Sequence, residues 1–183
     1  EALVRLPDSY QANDRQRPRG ADAAGRSRWG LPETGVVLCS FNNPLKLTPA
    51  MLDVWMRVLK AVPDSVLWFN FNYDRAAENL RHFAQSQGIA AERLVFSKTR
   101  LSAEDHLARL QHADVFLDTR PYNAHATAAD ILWAGVPVIT CPGKAFAARV
   151  AGSLVRHVHD VRSAHGFEQL TGHVIGRTRT GRG

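Results

Sequence analysis

Apolar residues along this 183-residue chain alternate between two spacings. Short runs rich in β-branched and aromatic residues (Val36 to Phe41, Val66 to Phe71, Leu94 to Phe96, Val115 to Leu117 and Val136 to Thr140) are bounded by Pro, Asp, Asn or Gly. Runs this short and this uniformly apolar predict strands buried on both faces. Between them lie longer segments with helical spacing. Thr48 can cap the first, Pro49 fits its first turn, and Leu52, Trp55, Met56 and Leu59 recur on one face until Pro63 ends it. Asp74 opens a second helix, with Leu80, Phe83 and Ala84 toward the sheet and Gly88 past its end. Ser102, with Asp105 three positions on, is a relative of the capping box and starts a third that packs through Leu107 and Leu110. A fourth follows Asp118 and closes at Gly135, and a fifth starts near Lys144.

Strands alternating with helices across short connections predict an α/β fold, an open Rossmann-like doubly wound parallel sheet. Right-handed crossovers give it the strand order 3-2-1-4-5. The order reverses between the first and fourth strands, and ligands of such sheets bind beyond the carboxyl ends of the strands at that reversal. The loops after Phe41 and Asp118 therefore carry the expected site. From Asp118 to Pro137 the chain reads as a buried strand end, a turn-rich loop and a helix that opens with His125 and Thr127. Polar side chains and free backbone N–H groups meet there, which outlines an anion site. The absence of a G-x-G-x-x-G pattern argues against a nicotinamide or flavin enzyme.

Residues 1–30 have few apolar positions and no usable period, and are expected to form an interlobe connector or extension ahead of a domain at 31–154. The stretch 155–183, rich in His, Arg and Gly, shows no helical face; it is expected to be a divergent basic tail, disordered or out of frame. No repeat appears at a period of about 34 residues. No apolar run approaches the roughly 18 residues of a membrane span, and no basic stretch with an apolar core opens the sequence, so a cytoplasmic segment with no membrane partner is expected. The net charge of +6 lies mostly in the two ends, leaving the middle near neutral. That distribution favours a small-molecule site over nucleic acid. Cys39 and Cys141 lack a nearby second thiol and read as buried free thiols; with the eight His scattered, no zinc site is expected.

Asp118-Thr119, the Asn-x-His-x-Thr-x-x-Asp from Asn123 to Asp130, and Leu132-Trp133-Ala134-Gly135-x-Pro137 resemble a known family. So do Phe41-Asn42-Asn43-Pro44-Leu45-Lys46, Val62 to Trp68 and Pro142 to Ala151. The family is the O-linked N-acetylglucosamine transferases of the tetratricopeptide-repeat, SPINDLY-like group, and the resemblance runs from about Glu1 to about Leu154. It implies the C-terminal, UDP-sugar-binding half of a GT-B glycosyltransferase. The implied reaction moves N-acetylglucosamine from UDP-GlcNAc to Ser or Thr hydroxyls. The acceptor protein or peptide would be held by an N-terminal lobe and repeats outside this segment, so the fragment alone is expected to be inactive. Glucose transfer to Asn by a related enzyme, or a non-catalytic UDP-sugar-binding scaffold, are the alternatives.

The resemblance also implies roles. Lys46 is the catalytic cation, neutralising the diphosphate and the charge that grows on leaving UDP. The backbone of His125, Ala126 and Thr127 holds phosphate, Asp130 grips the ribose hydroxyls, and His106 and Arg109 meet the uracil. Asn43 reaches the sugar or phosphate, though relatives carry a longer Gln there. Relatives often have Thr in place of Ala126, and vertebrate members Lys in place of Ala103. Arg120 and Tyr122 share the loop as weaker candidates. Read from the residues alone, His106 and Arg109 also suit a solvated helix face, Asp130 a helix-dipole position, and His125 a packed core histidine. No Asp-x-Asp motif is present, so neither metal nor other cofactor is expected. A base for the acceptor hydroxyl is expected from the other lobe.

Overall fold

The computed structural model describes residues 4, 9–11, 13–14, 16–97 and 101–157. Five parallel strands form one sheet: β1 (Val36–Ser40), β2 (Ser65–Asn70), β3 (Leu94–Ser97), β4 (Val115–Leu117) and β5 (Val138–Ile139). Their order is β3-β2-β1-β4-β5, the order expected from the sequence. Leu38 of β1 sits in register with Leu67 on one side and Val115 on the other.

The strands are mostly apolar, with polar residues confined to their ends, and the two-residue period divides their side chains between two cores. Leu38, Leu67, Phe69, Val115 and Leu117 point to the face covered by α1 (Pro49–Ala61) and α2 (Asp74–Ser86). Val37, Cys39, Trp68 and Phe116 point to the other, covered by α3 (Ala103–Leu110), α4 (Ala126–Trp133) and α5 (Val150–His157). The chain winds outward from β1 on one face, then returns and winds the opposite way on the other. A reversal between β1 and β4 leaves an open crevice at their carboxyl ends.

Local chemistry sets the helix ends. The Thr48 hydroxyl accepts from the Met51 N–H at 3.3 Å, and the Ser102 hydroxyl accepts from the Asp105 N–H at 3.1 Å while donating to the Asp105 carboxylate at 2.7 Å. Asp74 lies in the first turn of α2 rather than at its cap, which is Tyr73. Gly35, at φ +90, enters β1 so close to the Asp64 carbonyl that a Cβ would run into it. Only glycine fits there.

Three boundaries differ from the sequence expectation. β5 is only two residues long, because Pro137 has no N–H to give the ladder. The last helix starts at Val150, not near Lys144. Pro142 and Gly143 hold an extended turn, closed by the Gly143 N–H on the Ala148 carbonyl at 2.7 Å, before a short 3-10 turn at Phe146–Ala148. That helix also runs through the expected boundary at Leu154 to His157, with Val155 fully buried in the core. The expectation for 158–183 lies outside the described residues.

Much of the stretch before residue 31 packs onto the domain. Arg26–Trp29 forms a 3-10 turn; Trp29 and Leu31 enter the second core, and the Trp29 indole donates to Asp22 at 2.7 Å. The Arg26 guanidinium pairs with Asp114 at 2.8 Å and donates to the His112 carbonyl at 3.2 Å. Cys39 is a buried free thiol whose pKa burial pushes far up, with Asp114 adding to the rise, and Cys141 is a half-buried one. No described helix is long and apolar enough to cross a membrane.

Candidate functional site

Asp118, the residue after β4, organises the crevice. Its carboxylate is buried and accepts from the Ala124 N–H at 2.6 Å, the Thr119 N–H at 2.7 Å, the Asn42 amide at 3.2 Å and the Thr140 hydroxyl at 2.6 Å. These donors come from the ends of β1, β4 and β5, so one carboxylate fixes three loops relative to one another. Burial pushes its pKa up to about 6, against the pull of the four donors. Asn123 adds a second tie, its side chain donating to the Thr119 carbonyl at 2.8 Å and its N–H to the Ala147 carbonyl at 2.9 Å.

Lys46 ends the short 3-10 turn Pro44–Lys46 that follows β1. Its ammonium reaches across the β1–β4 reversal to donate to the Asn123 carbonyl at 2.9 Å, and lies 4.2 Å from the centre of the Tyr122 ring. Burial lowers its pKa, with Asp118 opposing. A half-desolvated ammonium facing a ring and one carbonyl has capacity left for an anion. Asn43 is exposed and spends its side-chain oxygen on the Leu45 N–H at 3.0 Å, so the structure gives it a local capping role in shaping the Lys46 turn.

His125 is the N-cap residue of α4 but makes no side-chain cap. Its Nδ1 lies 2.7 Å from the Tyr10 hydroxyl, and its ring stacks on Tyr122 with centroids 5.1 Å apart. Burial, and further the Lys46 charge, lower its pKa, against the nearby Ala147 carbonyl. His125 is thus half-buried at the mouth of the crevice rather than sealed in the core. Ala126 is exposed and Thr127 half-buried in the first turn of α4, where backbone N–H groups have no acceptor within their own helix and the dipole favours an anion.

The solvated-face reading of α3 fails at Arg109. Its side chain is 2% exposed, with the guanidinium 5.2 Å from the Phe41 ring centre and 5.6 Å from that of Trp29. Nη2 contacts His106 Nδ1 at 2.8 Å, whereas Nε and Nη1 are buried without a partner. Burial brings its pKa down to about 10. His106, half-buried beside Phe41, is held below the ordinary imidazole range first by burial and then by Arg109 and Arg17, with Asp130 opposing. It stays neutral at neutral pH, and its ring keeps both an acceptor and a donor nitrogen. Asp130 projects from α4 and pairs with Arg17 at 2.7 Å, so it is not merely a dipole-facing carboxylate.

The candidates therefore fall into two groups at one crevice: Lys46 with the α4 N-terminus, and His106, Arg109 and Asp130 on the facing walls of α3 and α4. Sequence reasoning passed over Arg17, which sits in a stretch with no period to flag it, and gave Asp118 no role beyond ending a strand. The signals for Asp118 were a charged residue closing an apolar run and its place in the Asp118-Thr119 motif, neither of which names its hydrogen-bond partners.

The sequence pattern of glycosyl transferase family 41 matches residues 5–161. The chain is 39% identical over 161 residues to a probable UDP-N-acetylglucosamine--peptide N-acetylglucosaminyltransferase, SEC, of Arabidopsis thaliana, covering 84% of this chain and 16% of that protein. A mutant of the Thermobaculum terrenum O-GlcNAc transferase superposes with a TM-score of 0.81 at 29% identity, covering 96% of this chain and 33% of that one. The C-terminal domain of a Francisella tularensis glycosyl transferase group 1 protein matches at 0.58 and 11% identity, covering 87% and 85%, a likeness of fold alone. The sheet is accordingly the C-terminal half of a GT-B architecture, and the chain spans a small part of the relatives' length. Matched along most of its residues by that pattern and by a relative well above 30% identity, the chain belongs to glycosyl transferase family 41.

Proposed function

We propose that this chain is the donor-nucleotide lobe of a protein O-GlcNAc transferase that takes UDP-GlcNAc and passes N-acetylglucosamine to Ser or Thr hydroxyls. The observation that carries the reading is the convergence of Lys46 and the α4 N-terminus over the β1–β4 reversal, a pocket in which the Asp118 carboxylate is already engaged by four donors. A diphosphate fits that pocket. Beside it, Arg109 offers two buried donors that lack acceptors and His106 a neutral ring, which suits the carbonyl-rich edge and flat face of a uracil. Asp130 supplies a carboxylate for ribose hydroxyls. The names of the relatives support UDP-GlcNAc as the donor.

Chemically, the sugar–phosphate bond breaks as the acceptor oxygen attacks C1, and negative charge accumulates on the β-phosphate. Lys46 and the α4 amides meet that charge as it develops, an electrostatic contribution of the kind that a metal ion makes elsewhere. We take the reaction to be metal-independent on that ground. The base that receives the acceptor proton, the acceptor groove and any repeat array belong to the rest of the protein, in a cytoplasmic setting away from membranes and nucleic acid.

Calorimetry on the complete protein tests this. UDP should bind in the presence of EDTA, and ADP should bind far more weakly. Binding that requires magnesium or manganese, or equal affinity for ADP, overturns the reading. Turnover of UDP-GlcNAc in preference to UDP-glucose would fix the sugar.

A further inference from the structure

Residues 16–20 form a strap across α3 and α4. The Trp133 indole donates to the Arg17 carbonyl at 3.1 Å, and the Gln111 side chain donates to the carbonyls of Arg19 and Gly20, both at 3.3 Å. The Arg19 guanidinium lies over the Trp133 ring, 5.2 Å from its centre. Gly20, at φ +62, lies so close to α3 that a Cβ would be 2.9 Å from Glu104 Cγ and 3.1 Å from its carbonyl oxygen. Hydrogen bonds to the carbonyls of Arg17, Arg19 and Gly20 thus fix the backbone at and just after Arg17. Its side chain is directed back along α4 to Asp130, Nη2 standing 2.7 Å from Oδ1.

An exposed ion pair would hardly need such a seat, since surface pairs contribute little. This one is largely withdrawn from water, with the two side chains 28% and 24% exposed. Nη2 of Arg17 is held by the ion pair with Asp130, whereas its Nε is buried without an acceptor. Leaving such a donor unsatisfied is costly, and an added acceptor beside it would relieve that cost. Arg17 also acts on His106, whose imidazole it helps hold below its ordinary range.

Resting on the donor-lobe reading above, we propose that Arg17 is a nucleotide-recognition residue: the strap delivers its guanidinium to the wall formed by Asp130 and His106, where it donates to the ribose and base oxygens of a uridine nucleotide while orienting Asp130 for the ribose hydroxyls. A carboxylate accepts several donors, so Arg17 on Oδ1 leaves Asp130 able to accept from ribose. The residue belongs to the stretch that sequence reading treats as a connector, and the proposal makes that stretch part of the donor site.

The test uses the complete protein with Arg17→Ala and Arg17→Lys, titrated with UDP, uridine and inorganic pyrophosphate, each variant also melted thermally. Arg17→Ala should weaken uridine and UDP by a similar factor, roughly tenfold or more. Pyrophosphate should stay within about twofold, since Lys46 and the α4 amides are untouched. Arg17→Lys should recover part of the loss, and Asp130→Asn should add little on top of Arg17→Ala because the two act together. Uridine and UDP affinities within twofold of the parent, or tighter, overturn the proposal; tighter binding would make Arg17 an occluding residue. A parallel loss of uridine, pyrophosphate and melting temperature overturns it in favour of a structural strap. A parent protein that binds ADP as well as UDP overturns the donor reading and the proposal with it, whereas normal UDP selectivity with an indifferent Arg17 removes the proposal alone.

Discussion

The Lys46 ammonium donates to the Asn123 carbonyl at 2.9 Å, tying the loop after β1 to the loop after β4. The two residues lie 77 positions apart. Their contact exists because β1 and β4 are neighbours in the sheet, and it aims the cation at the N-terminus of α4. A side chain held by a neutral carbonyl and a ring is pre-positioned without being neutralised.

Lys46→Ala should therefore lower turnover of the complete enzyme by at least about a hundredfold, in line with roughly 3 to 4 kcal/mol for one well-placed stabilising donor. The loss should fall mainly on kcat, since on the proposed reading the charge that Lys46 meets grows in the transition state. Steady-state kinetics check this; activity within threefold of the parent would make Lys46 a surface residue.

Asp130→Asn keeps the shape of the side chain but removes its charge. UDP binding should weaken by about 1.5 to 3 kcal/mol, the range for a hydrogen bond to a charged group, while uracil alone binds both proteins alike. Calorimetry and thermal melting together decide the matter. A drop in stability with unchanged UDP affinity would leave Asp130 only its ion pair with Arg17.

At Asp118 the pKa shift sets a pH dependence. Its carboxyl titrates at about 6 in the folded chain against 3.8 for an ordinary Asp, so the native state takes up the proton first. The stabilisation this gives is complete below the unfolded value and is lost as pH rises through 6. Between about pH 7.5 and about pH 5 the parent should gain on Asp118→Asn by about 1 to 1.5 kcal/mol. Calorimetric melts of both proteins at the two pH values test it, and parallel behaviour would refute the shift.

Thr48→Ala removes the hydroxyl that accepts from the Met51 N–H and should cost about 1 kcal/mol. Leu59→Ala, in the fully buried α1 face, should cost about 2 to 5 kcal/mol. Urea unfolding of the two variants side by side distinguishes a cap from a core residue.

Much of this protein is determined by sequence-local physics. Apolar runs too short for helices read as strands, Thr48 and Ser102 as caps, and short right-handed crossovers favoured a doubly wound order that reverses beside β1 and so places the crevice. The crevice positions of Lys46, His125 and Asp130, though not their roles, were legible from fixed offsets to those strand ends. Arg17 was not, nor were the partners of Asp118. Nothing within reach in sequence tells Arg17 that Trp133 and Gln111 will seat its backbone, or Asp118 that Asn42 and Thr140 will bring donors from two other strands. Arg109 shows the same limit: its helical position suits solvent as well as a site, and only the packing of Phe41 and Trp29 around it strips the water away. Contacts between distant segments are set by how the layers close, and the partners of a charged side chain are known only once they have closed.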